Sequence, residues 1–129
     1  MPPINELTRI EPNHLARLEQ QGTFTTGLLL ERSETPTRRQ YLADQVDATT
    51  NDVLDWRDEA LMLNLASFGP DDHQLLVQAR IDGLRDILRL SLDDFRERVH
   101  RAATELNMTA PTDLTLTGWW EQAKTLEDE

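Results

Sequence analysis

The chain has 129 residues and a formal net charge of −11, from 13 Lys and Arg against 24 Asp and Glu. This length is typical of one domain with a buried core, and the charge argues against general binding to nucleic acid, because acidic groups repel phosphate. The absence of cysteine excludes disulfides, thiolate metal sites and thiol nucleophiles.

The composition predicts an all-α fold. Leu occurs 21 times, whereas Val and Ile together occur eight times, and no stretch alternates apolar and polar residues. Helices favour Leu and strands favour β-branched residues. No apolar run approaches the roughly 20 residues that span a bilayer, and the first six residues lack the basic and apolar regions of a secretory signal. We therefore expect a cytoplasmic protein.

A tight turn at Ile10-Glu11-Pro12 divides the first predicted unit, residues 5–35. A helix precedes the turn, a second helix follows it, and a short helix around Leu29 and Leu30 covers the open face. A single hairpin of this size cannot seal its own core, so we expect it to pack against another part of the chain.

Two connector helices are predicted over residues 36–63. The first begins at Pro36, and its apolar residues are Tyr41, Leu42 and Val46. The second begins after Thr49, whose spacing from Asp52 is that of a capping box. We expect these helices to lie between two hairpin units.

The second predicted unit, residues 64–91, repeats the first at a constant offset of 58 residues. Apolar residues and prolines coincide at this offset, whereas polar residues mostly do not. The coinciding pairs are Leu7 and Leu65, Ile10 and Phe68, Pro12 and Pro70, Leu18 and Leu76, and Leu30 and Leu88. Such a repeat predicts two stacked hairpin units within one domain that spans residues 1–129.

The last segment, residues 92–126, is predicted to hold a long helix and a C-terminal helix. An apolar stripe with helical spacing follows Ser91 as far as Leu106. Trp119 on the final helix, like Trp56 on the second connector helix, is expected in the core, because a buried indole pins neighbouring helices together.

The order of these motifs resembles a bacterial family catalogued as domain of unknown function 4332. The resemblance covers about residues 5–126 and rests on the turns Ile10-Glu11-Pro12 and Phe68-Gly69-Pro70, on Trp56 and Leu61-Met62-Leu63, and on Trp119-Trp120-Glu121-Gln122-Ala123-Lys124. The two turns look like degenerate forms of the Gly-Ile-Gly turn of helix-hairpin-helix motifs. The resemblance implies a tandem helix-hairpin-helix fold and no particular activity.

The chemistry of both turns argues against the use of such hairpins to bind DNA. Hairpins of that kind hold phosphate with backbone N–H groups of the turn and of the following helix. Here Glu11 stands in the first turn, Pro12 offers no N–H group, and Asp71 and Asp72 follow Gly69 in the second. Acidic residues at these positions satisfy the helix dipole internally. We therefore expect the chain to fill its own anion sites.

No catalytic or metal-binding pattern supports an enzyme. His14, His73 and His100 share no spacing, and Glu97 with His100 forms a single Glu-x-x-His, where a di-iron site needs two. His73 falls at an inward position of the repeat, so we expect a packed imidazole. We expect no cofactor and no metal.

These observations predict a non-catalytic module for protein–protein interaction. Acidic residues concentrate on the connector, and Trp120 cannot share one buried face with its neighbour Trp119. The candidate contacts for a protein partner are Asp52, Asp55, Asp58, Glu59 and Trp120. The alternative is weak nucleic-acid binding through the hairpin units, with the candidate contacts Arg38, Arg39, Arg85, Arg89 and Gly69.

Overall fold

Eight α-helices and one short 3₁₀ turn form the regular structure in the computed structural model, which describes residues 2–127. The 3₁₀ turn covers Ile4–Glu6, and the helices are α1 Pro12–Gln20, α2 Thr26–Arg32, α3 Pro36–Val46, α4 Thr50–Leu63, α5 Pro70–Gln78, α6 Leu84–Leu88, α7 Leu92–Leu106 and α8 Asp113–Glu127. Within these residues, the only pairing of extended backbone is an isolated bridge between Pro3 and Thr25. The predicted all-α class is confirmed. The first residue and the last two of the predicted domain lie outside the described residues.

The chain divides after Asn64 into two compact units. The helices predicted as a connector, α3 and α4, belong to the first unit, where α4 packs against α2 and α3. They pack there because burial of their apolar side chains is favourable. Leu42 and Trp56 are only 2% exposed, and the first hairpin covers them. The second unit holds α5 to α8, with α7 and α8 packed on α5 and α6. Whether both units fold as the single predicted domain stays a prediction.

Helices α1 and α5 repeat each other in length and in the way they end. Both have nine residues, and they begin 58 positions apart, as the sequence repeat predicts. The carbonyl oxygen of Leu18 accepts a hydrogen bond from the N–H of Thr23 at 2.9 Å, and that of Leu76 accepts one from Ile81 at 2.8 Å. The second pair of residues lies 58 positions after the first.

Left-handed backbone follows the first and third helices of each unit. Gly22 (φ 80°) and Arg80 (φ 62°) follow α1 and α5, whereas Asp47 (φ 56°) and Asn107 (φ 54°) follow α3 and α7. A left-handed residue at this position lets a later N–H group reach back to a helix carbonyl, which is the Schellman motif. The third helices therefore correspond between the units, as the first helices do.

The fourth helices also correspond, although the offset between them has changed. Thr49 before α4 accepts a hydrogen bond from the N–H of Asp52 at 3.1 Å, and Thr112 before α8 accepts one from Thr115 at 3.2 Å. These matched positions are 63 residues apart because α7 has 15 residues against 11 in α3 and is followed by a longer loop. Each unit is thus a set of four helices, of which the third and fourth begin with matching side-chain caps.

The helix starts predicted at Thr35, Thr49 and Ser91 are confirmed, since each side chain accepts a hydrogen bond from an N–H group of the helix that follows. Trp56 and Trp119 are both 2% exposed, and the apolar stripe of α7 is buried. The imidazole of His73 is buried, as predicted. In the part of the chain that the structure describes, no helix combines the length and the apolar character needed to cross a membrane.

Candidate functional site

The first hairpin turn is occupied by a carboxylate from another helix. The N–H of Thr8 donates to both Glu59 oxygens at 3.0 and 2.9 Å, its hydroxyl donates at 2.6 Å, and the N–H of Arg9 donates at 3.1 Å. Glu59 has no exposed surface. An internal anion therefore fills this turn, but it is not the predicted Glu11, whose side chain makes no capping bond to α1.

The second unit holds the corresponding turn in a similar way. The side-chain oxygen of Gln122 accepts a hydrogen bond from the N–H of Ala66 at 3.0 Å, and Ala66 lies 58 positions after Thr8. The N–H of Gly69 donates to the Asp72 carboxylate at 2.9 Å, so the predicted filling of this position by Asp72 agrees with the structure. Gly69 was a candidate contact for nucleic acid, but its N–H group is already bonded within the chain.

Two of the predicted protein contacts are wrong because they are buried. Glu59 is 0% exposed and Asp58 is 6% exposed, since this face of α4 packs on the turn before α1. The Arg9 guanidinium lies 3.0 Å from Asp58 and 3.2 Å from Asp55. Asp55 is half exposed, yet it takes part in this ion pair.

The other two predicted protein contacts also have structural partners. The Asp52 carboxylate accepts a hydrogen bond from the Thr49 N–H at 3.0 Å, and this bond lowers the pKa of Asp52. The Trp120 indole N–H donates to the carbonyl oxygen of Leu90 at 3.0 Å, and the Lys124 ammonium lies 4.1 Å from the ring centroid. Trp120 is partly buried and packs within its own unit.

Arginines gather around the C-terminal end of α2. Arg39 Nε donates to the carbonyl oxygen of Ser33 at 2.8 Å, and Arg38 donates to that of Glu31 at 3.0 Å. Arg57, which the sequence did not single out, reaches the carbonyl of Leu30 at 2.8 Å, and burial, with a smaller contribution from Arg39, lowers its pKa. We call Arg32, Arg38, Arg39 and Arg57 the α2 arginine cluster.

The remaining nucleic-acid candidates lie in the second unit. Arg85 is exposed on α6, and Arg89 directly follows that helix. Arg89 forms an ion pair with Asp86 at 3.3 Å. The four predicted arginines are therefore divided between the two units, with Arg38 and Arg39 on α3.

A cavity of about 540 Å³ lies beside the α2 arginine cluster. It is lined by Gln21, Glu31, Arg32, Thr37, Arg38, Tyr41, Leu42 and Gln45. The Tyr41 side chain is 67% exposed, while its neighbour Leu42 is buried. We call this cavity the Tyr41 groove. Adjacent residues on a helix point in different directions, so only one of the two could face the core.

Two guanidiniums of the groove have unused hydrogen-bonding capacity. Arg32 bonds the Gln21 carbonyl and the Thr23 hydroxyl through Nη1 alone, at 3.0 and 2.6 Å. Arg38 likewise uses Nη1 alone, toward Glu31 and Glu34. In both side chains, Nε and Nη2 have no partner among the described residues. These two nitrogens form one edge of a guanidinium, the geometry that holds a carboxylate with two bonds.

Among the described residues, no group of three His, Asp or Glu side chains is arranged to hold a metal ion. A family model described as Domain of unknown function (DUF4332) matches residues 8–126. No curated protein and no solved structure matches the chain.

Proposed function

Since the chain belongs to the family of domain of unknown function 4332, for which no activity is defined, we propose from its surface that it is a non-catalytic protein-interaction module. It acts in the bacterial cytoplasm as two helix-hairpin-helix units. The first unit binds an acidic segment of a partner protein in the Tyr41 groove. The observation that carries this proposal is the exposed Tyr41 ring beside two guanidiniums with unused edges.

The composition of the groove supports a protein as the occupant. Tyr and Arg are enriched among the residues that dominate binding energy at protein interfaces. Tyr41 supplies a large ring that is 67% exposed, and such a ring can lose much apolar surface to a partner at little cost in side-chain entropy. The cavity of about 540 Å³ accommodates one or two side chains of a docked segment.

The charge of the groove selects an acidic segment. The α2 arginine cluster supplies four positive charges, against Glu31 and Glu34 beside it. The Nε and Nη2 edges of Arg32 and Arg38 match the two oxygens of a carboxylate. This excess of positive charge stands out in a chain whose net charge is −11, because long-range repulsion otherwise keeps acidic partners away.

The test is co-purification from native cells, followed by binding of the identified partner to purified protein. We expect Tyr41→Ala to weaken that binding by at least about tenfold. Phe24→Ala is the matched control, because Phe24 is also an exposed aromatic residue of the first unit and lies outside the groove. Equal binding by the Tyr41→Ala and control variants would contradict the proposed site, and turnover of a metabolite by the isolated protein would contradict the class.

Weak nucleic-acid binding is the second candidate, favoured by the crowding of Arg39 and Arg57 at the end of α2. It predicts retardation of a DNA or RNA duplex at about 50 mM salt, with affinity that falls steeply as salt is added. Arg38→Gln with Arg39→Gln would then abolish the retardation. The bonds from Glu59 and Asp72 to the hairpin turns count against this candidate, because they occupy N–H groups that phosphate would need.

A further inference from the structure

Three arginines line a second cavity, of about 300 Å³, in the second unit. Arg80 follows α5, and Arg98 and Arg101 lie three residues apart on α7, so that they are neighbours on one face of that helix. Gln78, Ala79 and Glu105 complete the lining. We name this the three-arginine cavity. It shares no lining residue with the Tyr41 groove.

The side chains of Arg80 and Arg98 have no hydrogen-bond or ion-pair partner within the described residues. Arg101 bonds Glu97 at 2.7 Å through one nitrogen. The guanidiniums of this cavity are therefore available to an external anion.

The backbone at Arg80 supplies an independent observation. Arg80 has a φ of 62°, and the matching position of the first unit holds Gly22 with a φ of 80°. Glycine adopts this conformation without a steric cost, whereas an arginine there is strained. No hydrogen bond or ion pair of the Arg80 side chain to the described residues offsets this strain, and local backbone strain of this kind is found at functional sites.

The charge balance defines the class of ligand. Three guanidiniums face one carboxylate of the cavity lining, Glu105, and a second, Glu97, is bonded to Arg101. The C-terminal end of α5 adds a partial negative charge, although the carbonyls of Leu76 and Val77 are already bonded by Ile81 and Arg80. The side chains that line the cavity, three arginines and Glu105, carry a net charge of +2, which suits a doubly charged anion, and arginine binds phosphate oxygens in pairs.

From these observations we propose that the three-arginine cavity binds a small, multiply charged phosphate compound, such as a phosphate monoester or diphosphate. A cavity of about 300 Å³ is at the small end of ligand sites and suits a compound of this size. The site goes beyond the proposed function, since it lies in the other unit and does not depend on a protein partner.

The experiment titrates the full chain with inorganic diphosphate and follows the amide and arginine Nε–H signals by NMR. We expect saturable changes at Arg80, Arg98 and Arg101, and binding at least about fivefold weaker in Arg80→Gly and in Arg98→Gln, since each loses charge-assisted hydrogen bonds. Arg89→Gln is the matched control, because Arg89 is an exposed arginine of the same unit outside the cavity. Its affinity should equal that of the wild type.

Arg80→Gly also separates loss of binding from loss of structure. Glycine relieves the left-handed strain, so this variant should melt at a higher temperature than the wild type while it binds diphosphate more weakly. Absence of saturation with diphosphate, or unchanged affinity in Arg98→Gln, would overturn the proposal. Tighter binding of a DNA duplex than of diphosphate at these same arginines would also overturn it, in favour of nucleic acid.

Discussion

Glu59 is fully buried, and its carboxylate accepts hydrogen bonds from two backbone N–H groups and one hydroxyl of the turn before α1. The contact joins residues 51 positions apart, Thr8 and Glu59. Local sequence carried no signal of it, because nothing near Glu59 indicates which backbone groups it will meet. An acidic side chain does fill the turn, as the sequence predicted, but it is Glu59 of α4 and not Glu11.

Replacement of Glu59 tests how much this contact stabilises the first unit. We expect Glu59→Ala to lower the free energy of unfolding by about 2–4 kcal/mol, since it leaves two N–H groups unpaired and a small cavity. Glu59→Gln should cost roughly 1 kcal/mol, because it keeps an acceptor, as Gln122 does in the second unit. Urea denaturation measures both. A loss in Glu59→Ala no larger than in the exposed control Glu31→Ala would contradict the assignment.

Asp52 gives a pH dependence of known sign. The Thr49 N–H bonds its carboxylate and lowers the pKa of Asp52, so the bond stabilises the fold above the ordinary pKa of about 3.9 and is lost as the pH falls through the lowered value. The difference in stability between wild type and Asp52→Ala should therefore be present at neutral pH and vanish in strong acid. Asp71→Ala, which removes an acidic residue without a capping bond, is the control. A difference that grows with acidification would show the wrong sign.

At the scale of elements, the sequence predicted the parts that depend on local spacing. The 58-residue repeat, the caps at Thr49 and Ser91 and the buried stripe of α7 follow from residues close to one another in the chain. The correspondence of α3 and α4 with α7 and α8 was missed, because α6 is two residues shorter than α2 and α7 is four residues longer than α3. A comparison at constant offset loses register at that point, so these helices were predicted to be a connector.

The Tyr41 groove also could not be predicted from a local sequence pattern. The sequence offered Tyr41, Leu42 and Val46 as the apolar residues of α3, of which Leu42 and Val46 are buried and Tyr41 is exposed. Only the packing of α3 within the first unit decides which of two adjacent apolar residues faces inward. Arg32 is the last residue of α2, and Arg57 joins Arg38 and Arg39 there by a bond to the carbonyl of Leu30, 27 positions away.

Replacement by alanine of two glycines, one just after α1 and one inside α8, should change the stability in opposite directions. Gly22 has a φ of 80°, and a Cβ there would meet nothing within 4 Å, so Gly22→Ala should destabilise the protein by about 1 kcal/mol through backbone strain alone. Gly118 lies within α8 and is equally unobstructed, so Gly118→Ala should stabilise it by roughly 0.5–1 kcal/mol. Thermal unfolding of both variants checks the pair. Changes of the same sign would contradict the claim that the left-handed backbone after α1 requires glycine at position 22.

At the scale of the whole molecule, the charges that sum to −11 are unevenly distributed. Asp58 and Glu59 are buried in contacts with the first turn, and Asp52 and Asp72 cap helices. The positive charges collect around the end of α2 and in the three-arginine cavity. The net charge, which argued against general binding to nucleic acid, therefore does not describe either of these two surfaces.

The net charge has a consequence for stability. Repulsion among an excess of acidic groups opposes the compact state, and added salt screens it. We expect the free energy of unfolding to rise between about 0.01 and 0.15 M sodium chloride. Urea denaturation at constant pH measures this change. A fall over the same range would mean that ion pairs such as Arg9 with Asp55 and Asp58 outweigh the repulsion.

Glu59 and Gln122 occupy corresponding positions in the two units, and each side chain joins the turn of its own unit to that unit's last helix. One side chain is a carboxylate and the other a neutral amide, so the joint requires a hydrogen-bond acceptor but not a charge. The same backbone joint is thus built with two different acceptors, and the buried carboxylate belongs to the first unit, in which the Tyr41 groove also lies.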